Sequence, residues 1–178
     1  MTVPLPGTYL GIMTILAREI EMTGKEFTDY LWEEGLDGVI AERARLNQSD
    51  TPARERYARY AKIVLEAGDG EAAAAHVTRA AGVKAEFVPS VTPAALSAGS
   101  SFSVQLLVEG RPVAGAMVAA VSKDTRLQAR TDANGRASFT IPALGAWLIK
   151  TVHMARPANA GAPPADWESY WVTLAFEV

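Results

Sequence analysis

From Phe102 onward the chain alternates: Phe102, Val104, Leu106 and Val108 stand at every second position, with Ser103 and Gln105 between them. Successive side chains of an extended chain point to opposite sides, so this spacing predicts a strand with one face in a core. The same reading recurs at intervals to the C-terminus. Ala85 to Pro89 forms a short strand before it, and Glu109-Gly-Arg-Pro112 turns the chain after it. Val113 to Val121, Leu127 to Thr131 and Ala137 to Ile141 follow as further strands. Asp132-Ala-Asn-Gly135 lies between the last two as a tight hairpin turn, because Asn and Gly accept positive φ. After Pro142 and Gly145 one strand carries Trp147, Ile149, Thr151 and His153 on one side and Leu148, Lys150, Val152 and Met154 on the other. A final strand runs from Trp167 to Val178. Short strands separated by turn signals, without a helix among them, predict an antiparallel β-sandwich of immunoglobulin-like or transthyretin-like type over residues 84–178.

The first part of the chain reads differently. Tyr9 to Ile20 has strand character but no neighbour in sequence with which to form a sheet. A strand left unpaired would recruit an edge from a second copy, giving a homodimer through the N-terminal strand. Thr23 and Glu26 have the spacing of a capping box, so a helix starts there, passes Phe27, Tyr30 and Leu31, and stops at Gly35. Asp37 opens a second helix through Val39, Ile40 and Ala44 that ends near Asn47. Thr51-Pro52 has the form of an N-cap with proline at the first helical position. It predicts a third helix, with Ala53, Tyr57, Tyr60, Ala61 and Val64 as its apolar stripe and Arg54, Glu55, Arg56, Arg59 and Lys62 on the remaining arc. Residues 69–83 are a linker, with a helical turn between Ala72 and Thr78. The expected organisation is therefore a lone strand over 1–22, a three-helix segment over 23–68, the linker, and the sandwich over 84–178.

Composition narrows the function. With 178 residues the chain can bury a core of ordinary size, and without cysteine it has neither disulfides nor thiol or Cys-based zinc chemistry. A net charge of -3 lacks the basic footprint of a nucleic-acid binder. The apolar run from Thr8 to Ala17 is too short to span a bilayer and has no preceding Lys or Arg. Neither membrane insertion nor a signal peptide is expected, and the chain as written would be cytoplasmic. No Gly-x-Ser-x-Gly, His-Glu-x-x-His, phosphate loop or dinucleotide fingerprint occurs, and nothing in the sequence supports an enzyme.

Three groupings carry candidate chemistry. If the last two strands pair, His153 comes back near Asp166 and Glu168, and an imidazole with two carboxylates suits a divalent metal such as nickel, cobalt or zinc. The bland alternative has His153 at the sandwich edge and the carboxylates on loop amides. Arg54, Arg56 and Arg59 offer a surface to an anionic ligand or partner, or else form a solvated face with Glu55 and Arg59 as an i,i+4 pair. Trp147, Trp167 and Trp171 would stack on sugars if exposed together on one face, and otherwise fill the core. Trp167 and Trp171 complete the candidate ligand or partner surface. Asp132-x-Asn134-Gly135 imitates the start of a calcium loop but lacks its bidentate Glu, and the turn alone explains it. His76 sits in the Ala-rich linker and is expected to be exposed.

Several segments together carry a resemblance: Phe27-x-x-Tyr-Leu-Trp-Glu-Glu-Gly-Leu36, Arg54-Glu-Arg-Tyr-Ala-Arg-Tyr-Ala-Lys62, Thr131-Asp-Ala-Asn-Gly-Arg136, Gly145 to Met154, Asp166-Trp-Glu-Ser169 and Leu174 to Val178. In that order they resemble domain-of-unknown-function family 4198, exported bacterial proteins once labelled the periplasmic component of cobalt or nickel uptake. The resemblance implies export to the periplasm and an N-terminal β-domain opening with a His-Asp pair. This sequence lacks that pair, so residues 1–22 look like the residual strand of a truncated β-domain, and a function resting on that His is not carried over. The resemblance also raises the alternative that some of these arginines dock the third helix onto a β-domain. Taken together, these readings predict a non-enzymatic envelope accessory or binding protein with a protein partner or small ligand, and transition-metal uptake as one link. A carbohydrate- or peptide-binding sandwich is the alternative.

Overall fold

The computed structural model describes residues 6–68, 74–158 and 164–178. Among them the chain is mainly β, with two sheets packed face to face and two short helices laid on the outer side of the larger one. The strands are β1 (Gly7–Met22), β2 (Ala53–Ala67), β3 (Ala85–Pro89), β4 (Ser101–Val108), β5 (Arg111–Pro112), β6 (Met117–Val121), β7 (Arg126–Arg130), β8 (Arg136–Thr140), β9 (Ala146–Ala155) and β10 (Trp167–Glu177). The helices are α1 (Gly24–Glu33) and α2 (Asp37–Arg45), both between β1 and β2. The larger sheet has the order β1-β2-β10-β9-β6-β7; in the smaller, β4 pairs with β3, β5 and β8.

The strands predicted in the C-terminal half are present, with Val113 to Val121 extended only from Met117 and with Arg111–Pro112 of the predicted turn adding the short β5. Phe102, Val104 and Leu106 of β4 meet Ile149 of β9 and Val172, Leu174 and Phe176 of β10 in one core between the sheets. The turn at Asp132 is as tight as expected: the Asp132 carboxylate accepts from the amides of Asn134 and Arg136. Gly135 has φ +71°, and a Cβ there would come within 2.8 Å of the Leu106 carbonyl oxygen. The turn does not join paired strands, however. β7 belongs to the larger sheet and β8 to the smaller, so it carries the chain from one layer to the other.

The helical segment holds two helices, not three. Thr23 and Glu26 form the expected capping box. Gly35, at φ +66°, ends the first turn-over, and Asn47, at φ +54°, follows the second helix. Ala53 to Ala67 is a strand. Helix-forming Ala, Arg and Glu are overridden there because the segment runs between β1 and β10 with backbone partners on both sides. The apparent helical stripe came from a strand buried in part on both faces. Ala58, Lys62 and Val64 are buried toward the smaller sheet, and Ala53 and Glu55 beneath the helices.

β1 therefore has its partner within the chain, from Gly7↔Ala67 to Met22↔Ala53, and the premise for recruiting a second copy falls away. Between Ile15 and Arg18 its register shifts. The extra residue reverses which side chains face the helices, leaving Leu16 exposed and turning Ile20 and Met22 toward the helix side opposite Glu55 and Ala53. Of the predicted linker, residues 69–73 lie outside the described residues; residues 75–78 form a turn closed by Val77 N–H to Ala74 O at 2.9 Å. No helix among the described residues is long and apolar enough to cross a membrane.

The two sheets are tied by a buried ion pair. Lys62 of β2 donates to Glu86 and to the Phe87 carbonyl of β3, and Glu86 also accepts from the amides of Ala81 and Gly82. Both charged side chains are almost wholly buried. Removing one partner leaves a buried charge uncompensated, so Lys62→Met should cost about 3–5 kcal/mol by urea denaturation. Adding Glu86→Gln, which keeps an acceptor for the two amides, should recover more than half of that loss.

Candidate functional site

The helix side of the larger sheet is where side chains with unspent chemistry collect. The capping box fixes the start of α1, and helical spacing then turns Phe27 and Leu31 down onto the sheet, both buried, with Tyr30 beside them. Beneath α1, β2 and β10 run parallel in the register Trp167↔Glu55, Ser169↔Tyr57 and Trp171↔Arg59. Period two places all six of these residues on the helix side. The bulge in β1 adds Ile20 and Met22 from the edge.

The result is a cavity of about 240 Å³ lined by Ile20, Met22, Tyr30, Glu55, Tyr57, Arg59 and Trp171. The Tyr30 and Trp171 rings are parallel, with centroids 5.7 Å apart. The Arg59 guanidinium lies 5.0 Å from the Trp171 centroid and 5.7 Å from that of Tyr57. Glu55 is 2 % exposed. Its Oε1 accepts from the Tyr30 hydroxyl at 3.1 Å and from the Ser169 hydroxyl, and the Trp171 indole, a further neutral donor, favours the ionised form. These donors are neutral, and none of the ion pairs among the described residues involves Glu55.

Burial pushes the Glu55 carboxyl above the ordinary carboxylate range, the three donors opposing it in part. The Tyr30 phenol is likewise driven up, first by burial and then by the neighbouring Glu55 charge. The site thus offers three aromatic rings, a buried carboxyl without an ion-pair partner, and an exposed arginine held over two of the rings. Such a set can hold a ligand by ring contact and by charge.

The residues nominated from sequence are scattered around this pocket. Arg59 and Trp171 belong to it. Arg54 and Arg56 instead pair with acidic residues of β1, Arg54 with Glu21 at 3.5 Å and Arg56 with Glu19 at 3.2 Å. They fasten strand to strand, not a helix to a β-domain. Glu55 and Arg59 are two strand positions, so the expected i,i+4 helical pair does not exist. Trp167 is buried under α1 and α2 with the Arg156 guanidinium 3.9 Å from its ring centroid, and Trp147 is buried between the sheets. The three tryptophans therefore share no exposed face.

β9 and β10 do pair, as expected, but His153 stands opposite Tyr170 on the side toward the smaller sheet, at the margin of a separate open cleft of about 450 Å³. Burial lowers its pKa. Asp166 is used as a backbone clamp: its carboxylate accepts from the Arg54 amide at 2.8 Å, and its own amide donates to the Arg54 carbonyl at 2.9 Å. Glu168 lies opposite Ala155, and its charge acts on Lys84 and Tyr170. Among the described residues no group of three or more His, Asp or Glu side chains converges to hold a metal ion. His76 is exposed.

Tyr30, Glu55, Tyr57 and the supporting Ser169 were not nominated. The signal for two of them was available: under a period-two reading Glu55 and Tyr57 share one face with Arg59. The helical reading of the same segment had sent Glu55 to solvent and Tyr57 to the core.

The architecture is a β-sandwich whose larger sheet is covered on its outer side by a two-helix insertion. By sequence the chain belongs to the family described as Domain of unknown function (DUF4198), whose model matches residues 11–155. The match takes in Tyr30, Glu55, Tyr57 and Arg59 but stops before Trp171. No curated protein and no solved structure matches the chain.

The raised carboxyl makes Glu55 a source of pH-dependent stability. A carboxyl whose folded pKa exceeds its unfolded value contributes fully below the unfolded value, about pH 4, and loses that contribution as pH rises through the folded one. Wild type should therefore lose stability relative to Glu55→Gln as pH rises from about 4 toward 8, in paired urea melts. A difference that is flat, or that grows in favour of wild type, would show that Glu55 ionises freely in the folded chain.

Proposed function

We propose that this chain is a non-enzymatic binding protein of the bacterial envelope, and that the pocket around Glu55 and Trp171 is its ligand seat. The observation that carries this is a buried carboxyl without an ion-pair partner at an aromatic-lined cavity. Burying a carboxylate unpaired is costly, and a fold under no functional demand would fill the space with apolar side chains. Titratable groups displaced by burial beside an apolar cavity cluster at functional sites. The envelope location rests on what the family resemblance implies about export. A seat for a bare nickel or cobalt ion has no support from converging ligands among the described residues. Nor does a sugar platform, because Trp147 and Trp167 are buried.

The test is a fragment screen followed by ¹H–¹⁵N NMR. Hits should move the Trp171 indole resonance and the amides of Tyr57 and Arg59, and Trp171→Ala should abolish their binding. Hits that bind elsewhere and leave Trp171 unmoved would overturn the assignment. Nickel, cobalt and zinc titrated into metal-stripped protein should show no saturable site; tight binding lost in His153→Ala would instead return the metal reading.

A further inference from the structure

The geometry points to an organic ammonium group, of the size of a trimethylammonium headgroup, as the ligand of the pocket formed by Tyr30, Glu55, Tyr57 and Trp171. This rests on the pocket being the ligand seat and adds the chemical class of what it takes.

Four features select a cation. The rings of Tyr30, Tyr57 and Trp171 line one cavity, those of Tyr57 and Trp171 already carry the Arg59 guanidinium, and a ring face attracts positive charge. The carboxyl at its border has only neutral donors, so a positive ligand would supply the counter-charge that the chain withholds. Ile20 and Met22 complete the lining with apolar groups, which suits an alkylated ammonium better than a strongly hydrated one. Finally, the chain's own Arg59 already holds a guanidinium over Trp171 and Tyr57. Arg59 is exposed and takes no part in the ion pairs among the described residues, so it can swing away without breaking one. It stands in for the ligand's cation and competes with it.

The size follows from the volume. At about 240 Å³ the cavity is smaller than the range in which drug-sized molecules are enclosed, roughly 300 Å³ and above, and fits a headgroup or a compact amine. An anion is disfavoured by Glu55. A neutral sugar would find only one buried acceptor group whose lone pairs are already partly used.

Binding is linked to proton release. A cation placed beside Glu55 favours the ionised carboxylate, so affinity should rise with pH while the free-state carboxyl is still partly protonated, by at most tenfold per pH unit for one proton.

The experiment compares choline with its uncharged isostere 3,3-dimethylbutan-1-ol by calorimetry and by the Trp171 indole resonance, between about pH 5 and pH 8. Choline should bind at least about tenfold more tightly than the isostere at the upper pH and weaken toward the lower. Glu55→Gln should reduce that preference to within a few-fold and flatten the pH dependence. Arg59→Ala, at an exposed position, should tighten choline binding severalfold by removing the competitor, and it keeps the test decisive should the Glu55 variant not fold. Equal binding of choline and isostere, or weaker choline binding in Arg59→Ala, overturns the ammonium assignment while leaving the pocket as a ligand seat. If neither probe moves Trp171 but other fragments do, the assignment alone again falls. If nothing moves it, both fall. Ammonium groups also occur on lipids, and co-pelleting with phosphatidylcholine vesicles separates the two sources: free choline binding without pelleting gives a small soluble cation, and pelleting gives a headgroup.

Discussion

The parallel pairing of β2 with β10 holds the rest of the molecule in place. Its register, from Trp167↔Glu55 to Ala175↔Ile63, joins segments more than a hundred residues apart and inserts β2 between β1 and the last strand. Through it the N-terminal strand becomes the edge of the sandwich's larger sheet and not a separate piece. The helices between β1 and β2 are consequently laid over that sheet, where Phe27, Leu31 and Val39 close on Ala53, Met154 and Trp167. Closing so long a loop costs little more entropy than closing one half its length, but the pairing must await contacts that are non-local. A chain built this way completes its pocket only when β2 has joined both β1 and β10.

Legibility in the sequence divides along that line. Strands of the C-terminal half were readable because each has one core face, so Phe102, Val104 and Leu106 announce their period without help from the rest of the chain. The capping box at Thr23 was readable because both of its hydrogen bonds are local. β2 was not. It buries residues on both faces, alternation is blurred, and Lys62, which looks solvent-facing by type, is buried against Glu86. The β1 bulge was equally hidden, since a register shift depends on the partner and not on the strand alone. The turn at Asp132 shows the limit of a correct local reading: its backbone was foreseen, but whether it joins neighbours in one sheet or crosses between two is decided by tertiary packing.

The site follows the same logic. Arg59 and Trp171 could be named from residue type, but their juxtaposition needed the parallel register of β2 and β10. Glu55 was assigned to a salt-bridged surface because charged residues spaced along an Ala-rich segment fit a helix so well. The metal trio failed for a geometric reason. Asp166 sits before the strand begins and spends its carboxylate on the Arg54 amide, so it cannot share a face with His153.

β2 carries two buried charged groups on opposite faces, and their surroundings differ in kind. Lys62 points between the sheets and meets a full complement: a carboxylate, a carbonyl, and a partner that is itself held by two amides. Every element of that arrangement belongs to the chain, and its consequence is structural. Glu55 points to the helix side and meets only hydroxyls and an indole, which soften the cost of burial without supplying opposite charge. Its carboxyl is displaced upward because the compensation is incomplete. One strand thus neutralises one buried charge fully and leaves another, a few residues away on its opposite face, beside a cavity with neutral hydrogen-bond donors alone.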